Sequence, residues 1–159
     1  MESERHLYYM KRAIDLAAEG MLAGAGGPFG CVVVREDKII AEGYNQVIGD
    51  NDPTAHAEVV AIRKACTLLG TFQLEDCTIY ASCEPCPMCL GAIYWARPKR
   101  VFYACDKYDA AAIGFDDHFI YEELDKEYSS RHIPFHPLMR EEAQKVFDQW
   151  KTLEGRVEY

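Results

Sequence analysis

Between residues 4 and 23, apolar side chains recur at Leu7, Met10, Ile14, Ala17 and Met21, with charged residues between them. That three-to-four spacing predicts an amphipathic helix, and the glycines and proline of GAGGPFG end it. GCVVVRE and KIIAEGYN, joined by a turn at DK, predict a β-hairpin. The loop NQVIGDND runs to Pro53-Thr54, and a helix is expected from about Ala55 to Leu69. CTIYAS (77–82) reads as a short buried strand, CEPC as a loop, and PMCLGAIYWA as a compact helix closed by Arg97-Pro98. RVFYA is another strand, and CDKYDAAAIGFDD, rich in small and acidic residues, reads as a loop. Helices FIYEELDKE and LMREEAQKVFDQWKTL precede the tail EGRVEY. With no repeat or low-complexity linker, this order predicts one domain over residues 1–159, an α/β sheet with helices on both faces.

Composition narrows the function classes. Of 159 residues, 49% are hydrophobic and 27% charged, an ordinary globular profile. The net charge of −9 argues against a polyanion partner, because phosphate contacts need a basic face. The one dense basic cluster, RPKR at 97–100, reads as a solvated turn before a strand, so a small molecule is the expected partner. No apolar run reaches a membrane span. The charged N-terminal segment does not read as a secretory signal, and a cytoplasmic protein is expected. Seven cysteines, an odd count, argue against a disulfide framework. Cys31, Cys66 and Cys105 lie in apolar contexts and read as inert core thiols.

The cysteines of CEPCPMC are the candidates for chemistry. In CEPCPMC, Cys86 and Cys89 offer two sulfurs from one C-x-x-C turn, a zinc-ligand spacing. They open a helix, where free N–H groups favour thiolates. His56 in PTAHAE opens another helix and is a third ligand, while Cys83 is available as a fourth. Four ligands make a closed structural site; three leave a position for water and make a catalytic one. Glu58 favours the second, since a carboxylate beside an activated water is a general base. Its plainer role is an acidic residue complementing a helix N-terminus. Residues two apart in a helix point in different directions, so His56 and Glu58 share a site only where the chain is entering the helix, as Pro53-Thr54 allows.

H-x-E followed by P-C-x-x-C is the signature of zinc nucleobase deaminases, and it stands here as His56-Ala57-Glu58 and Pro85-Cys86-Pro87-Met88-Cys89. Together with NDPTAHAEVVAIRKA, SCEPCPMCLGAIYWARPKRVFYA, GGPFG, Asn45, GFDD and the final VEY, nearly the whole chain resembles the bacterial guanine deaminase branch of the cytidine deaminase-like superfamily. The resemblance implies a three-layer α/β/α sandwich with a mixed sheet. It implies one zinc per chain on His56, Cys86 and Cys89, with Cys83 a bystander thiol and Glu58 the proton shuttle. The implied reaction is hydrolytic deamination of guanine to xanthine and ammonia, with attack at the purine carbon that bears the amine. Backbone N–H groups of Ala57 and Cys86 would bond the developing charge.

The same resemblance makes Asn45 the base-reading amide, Phe29 and Trp95 pocket walls, and Asp117 a second acid that protonates the leaving amine. It implies a homodimer in which a segment of about residues 130–159 crosses to the partner and Tyr159 closes the pocket. Each has a plainer role as well: a loop residue for Asn45, core packing for Phe29 and Trp95, a helix N-cap for Asp117, and a frayed end for Tyr159. The nearest alternatives are a tRNA adenosine deaminase, disfavoured by the acidic charge, the FDD loop and the aromatic tail, and a cytosine-type deaminase with the same ligands. A non-catalytic Cys3His interaction module would leave Glu58 without a role.

Overall fold

Strands β1 (Gly30–Arg35) and β2 (Lys38–Tyr44) form the expected antiparallel hairpin in the computed structural model, which describes residues 2–159. The turn falls at Glu36-Asp37, one residue earlier than the DK expected. Both residues have positive φ, 49° and 59°, the type I′ geometry that matches strand twist. β3 (Cys77–Cys83) pairs antiparallel with β1, and β4 (Arg100–Cys105) runs parallel to β3. The sheet is therefore mixed, in the order β2-β1-β3-β4. The parallel step from β3 to β4 needs a crossover, which α4 (Pro87–Ala96) supplies.

Helices cover both faces. Tyr9, Ala13 and Leu16 of α1 (Glu2–Leu22) pack with Val32, Val34 and Tyr80. On the other face, Ala57, Ala61 and Ala65 of α3 (Ala57–Leu69) and Ile93 of α4 pack with Cys31, Val33 and Ile79. Alternation along a strand sends Val32 one way and Val33 the other. A central strand covered on both sides therefore reads as the unbroken run CVVV.

Four expectations change. The buried stripe of α1 is Tyr9, Ala13, Leu16 and Ala17, whereas Leu7, Ile14 and Met21 are exposed. The helix comes closest to the sheet where Ala13 and Ala17 lie over Gly30. A one-turn helix, α2 (Val47–Asp50), occupies part of the expected loop. Another, α5 (Lys107–Ala112), lies within CDKYDAAAIGFDD, where Asp106 and Asp109 form a reciprocal cap. Cys105 is exposed rather than a core thiol, because it ends an edge strand. Cys31 is buried and Cys66 half-buried.

The chain divides into two compact units, a first ending at Asp117 and a second running His118–Tyr159. The second contains α6 (His118–Asp125), a 3-10 turn (Tyr128–Ser130) and α7 (Arg140–Thr152). Neither of its α-helices buries a residue. Among the described residues, no helix is long and apolar enough to cross a membrane.

Candidate active site

His56 stands just outside the helix it introduces. It is the N-cap of α3, with an extended backbone at φ −70° and ψ 155°, and Glu58 lies in the first turn. The change of backbone at the cap lets side chains two apart reach the same place. Cys86 repeats this arrangement as the extended N-cap of α4, followed by Pro87 at the first helical position. Cys89 is one turn further in.

The two helix openings meet. Cys86 Sγ and Cys89 Sγ each lie 3.5 Å from His56 Nδ1, and the three donor atoms are all within 4.8 Å of one another. Zinc–sulfur bonds of about 2.3 Å and zinc–nitrogen bonds of about 2.0–2.1 Å at a tetrahedral angle place nitrogen and sulfur roughly 3.5 Å apart. Donor chemistry and spacing therefore both fit zinc. It is the one group of at least three metal-binding side chains among the described residues. Cys83 is not in it: its Sγ donates to Asp106 O at 3.5 Å, which leaves three donors.

Glu58 is buried, with 7% of its surface exposed, and its Oε2 accepts from Cys89 Sγ at 3.3 Å. Burial raises its carboxyl above the usual range, the Cys89 contact opposing that in part. A carboxyl held this way is closer to exchanging protons near neutrality than a solvated one. The Cys86 thiol is pushed down to about 4, first by its hydrogen bond with Cys89 and further by His56. His56 is raised in turn, chiefly by Cys86. Cys89 is raised by the same Cys86–Cys89 bond and by burial, so without a metal the pair carries one thiolate, on Cys86, and one thiol, on Cys89.

Asn45 follows β2 and is 5% exposed. Its Oδ1 accepts from Val47 N–H at 3.1 Å, and its own N–H donates to Phe29 O at 3.0 Å. Phe29 meets Phe115 edge-on, ring centroids 5.0 Å apart. Asp117 is half-buried. Its carboxyl is raised by burial first and by the charge of Cys86 second, an electrostatic link between the GFDD loop and the donors. Ala57 and Cys86 sit where helix-opening N–H groups lack intrahelical acceptors. Trp95, in the last turn of α4, is 63% exposed. Tyr159 belongs to the second unit and is exposed.

Three neighbours were not singled out by sequence. Phe115 lay hidden in GFDD. Glu84 Oε2 accepts from Lys107 N–H at 3.1 Å, tying the CEPC loop to α5. Gly26 lies against Asn45, and a Cβ there would stand 2.0 Å from Asn45 Oδ1. The only signal for it was the glycine-rich GAGGPFG.

Comparison with known proteins agrees with this geometry. The family description "Cytidine and deoxycytidylate deaminase zinc-binding region" matches residues 3–105. The chain is 58% identical to the guanine deaminase of Bacillus subtilis (strain 168), covering 97% of this chain and 99% of that one. The X-ray structure of guanine deaminase from Bacillus subtilis superposes with a TM-score of 0.94 at 58% identity, over 97% of this chain and 98% of that chain. A tRNA-specific adenosine deaminase of Buchnera aphidicola subsp. Schizaphis graminum is 36% identical, over 94% of this chain and 96% of its own. With His56, Glu58, Cys86 and Cys89 gathered within the matched region, the chain belongs to the cytidine and deoxycytidylate deaminase family, in its cytidine deaminase-like α/β fold.

Proposed function

We propose that this chain is a zinc-dependent guanine deaminase, hydrolysing guanine to xanthine and ammonia. The observation that carries the chemistry is the buried Glu58 beside a three-donor group from which Cys83 turns away. For the substrate, the support is 58% identity to a guanine deaminase over nearly the full length, against 36% to a tRNA-specific adenosine deaminase. The net charge of −9 also disfavours an RNA substrate.

His56, Cys86 and Cys89 would hold one zinc ion per chain. When bound, zinc supplies the Lewis acidity that brings the pKa of a coordinated water to about 7. Glu58 takes the proton of the attacking water and delivers it to the ring nitrogen beside the amine-bearing carbon. Asn45 uses its Oδ1 for Val47 N–H, which leaves the amide Nδ2 to donate to the base, where guanine offers O6 and N7 as acceptors. Phe29, edge-on to Phe115, gives the ring an apolar wall. Asp117 keeps a proton more readily than a solvated aspartate and passes it to the departing amine. The N–H groups of Ala57 and Cys86 bond the developing charge, and Trp95 lines the same pocket.

The working form is a homodimer. Val146, Phe147 and Trp150 of α7 are 61%, 69% and 42% exposed within one chain, more apolar surface than a helix leaves in water without a partner. Exchange of the C-terminal segment, about residues 130–159, would cover it and bring Tyr159 to the partner's pocket. Seven unpaired cysteines, three of them zinc or near-zinc thiols, suit the reducing cytoplasm. The test is ammonia release from guanine, adenine, cytosine, their nucleosides and an adenosine-bearing tRNA stem-loop. Guanine is expected to react and the RNA to fail even at low salt, where weak phosphate contacts are strongest. Efficient RNA editing without guanine turnover would move the chain to the tRNA branch.

A further inference from the structure

Cys83 and Cys105 are register partners, the last residues of the adjacent parallel strands β3 and β4. Alternation along each strand puts them on the same face as Ile79 and Val101, which pack in the core beneath α3 and α4. Neighbouring strands are about 4.7–4.9 Å apart, inside the Cα separation of about 4.4–6.8 Å that a disulfide spans. The Cys83 thiol already leans across the gap, donating to Asp106 O, one residue past Cys105. Cys83 is buried while Cys105 is exposed, so one sulfur is open to reagents and the other is held behind it. Just beyond the pair, Glu84 N–H donates to Cys105 O at 2.8 Å, which keeps the two chain ends side by side.

We infer that Cys83 and Cys105 form an oxidisable pair, closing a disulfide across the end of the β3–β4 ladder when a hydroperoxide reaches Cys105. The hydroperoxide O–O bond breaks, the Cys105 sulfur gives up two electrons and takes the hydroxyl, and the reduced alcohol or water departs with the thiol proton. The Cys83 sulfur then attacks the sulfenic sulfur. The S–S bond forms, the S–O bond breaks, and hydroxide leaves with the Cys83 proton as water. Burial pushes the Cys83 thiol up to about 12, so the first oxidation falls to the exposed partner. The bridge takes Cys83 off Asp106 O and pins the end of β3 without using a zinc donor.

The test uses the zinc-loaded full chain, treated with hydrogen peroxide, alkylated, digested without reductant and mapped by mass spectrometry. The expected product is a Cys83–Cys105 peptide pair lighter by two hydrogens, with two of the seven thiols lost, zinc retained, and both thiols recovered by dithiothreitol. Cys83→Ser should leave Cys105 as a sulfenic acid trapped by dimedone, and Cys105→Ser or Cys105→Ala should abolish the thiol loss. A bridge between Cys86 and Cys89 with zinc release would overturn the inference. So would a Cys105 link between two chains, or Cys105 carried to the sulfinic acid with Cys83 still free.

Discussion

Helices α1 and α7 both carry apolar residues at helical spacing, but only α1 is covered within the chain. Tyr9, Ala13 and Leu16 are at most 5% exposed against the sheet, while Val146, Phe147 and Trp150 are 42–69% exposed. An apolar stripe says that a helix needs a surface, not which surface it uses. In α1 the stripe that packs is Tyr9, Ala13, Leu16 and Ala17, and Leu7, Ile14 and Met21 face outward. In α7 no such choice exists within the chain, because the helix buries nothing. The first unit thus holds a core and all the donors. The second holds exposed apolar surface and the aromatic tail.

That contrast predicts where damage is total and where it is partial. Cys86→Ala or Cys89→Ala in the first unit should lose zinc and turnover together, by metal analysis and ammonia release, whereas Cys83→Ser should keep most of both. Loss of zinc in Cys83→Ser equal to that in Cys86→Ala would revive the closed structural site. Gly26→Ala should lower kcat/KM for guanine about 10²-fold, the scale of a misplacement of roughly 1 Å. Its Cβ would press on Asn45 Oδ1, while zinc content should stay unchanged.

Removing Gly155–Tyr159 from the second unit should leave folding and zinc intact and cut turnover several-fold, because an open pocket admits water. A mixed dimer of tail-deleted and Glu58→Gln chains should regain activity at one of its two sites. Full activity in the truncated homodimer would make the tail a frayed end. Leu16→Ala should cost about 2–5 kcal/mol in denaturant unfolding, as a buried truncation does, against within about 0.5 kcal/mol for the exposed Leu7→Ala. Equal costs would erase the distinction between the two faces of α1.

The donor set was legible because its information is local: a C-x-x-C turn and an H-x-E step each lie within a few residues. The shared direction of His56 and Glu58 was legible because Pro53-Thr54 marks a helix entry. What failed was whatever depended on neighbours distant in sequence. Two apolar stripes compete on α1, and only the sheet selects the inner one. Asp106 and Asp109 are the exception, since their reciprocal cap is a local pair three residues apart that went unread in a segment rich in small and acidic residues. The exposure of Cys105 follows from β4 lying at the sheet edge, which its apolar flank VFYA does not reveal. Phe115 and Gly26 matter through contacts with Phe29 and Asn45 that no spacing announces.

The most direct test of the chemistry is the rate of xanthine formation from guanine by Glu58→Gln, at zinc content matched to the parent protein. Glutamine keeps the shape of the side chain but cannot carry the proton. The site described here predicts normal zinc binding and a loss of at least about 10²–10⁴-fold, the usual contribution of general acid–base catalysis. Near-parental turnover at equal zinc would remove Glu58 from the reaction and contradict the account.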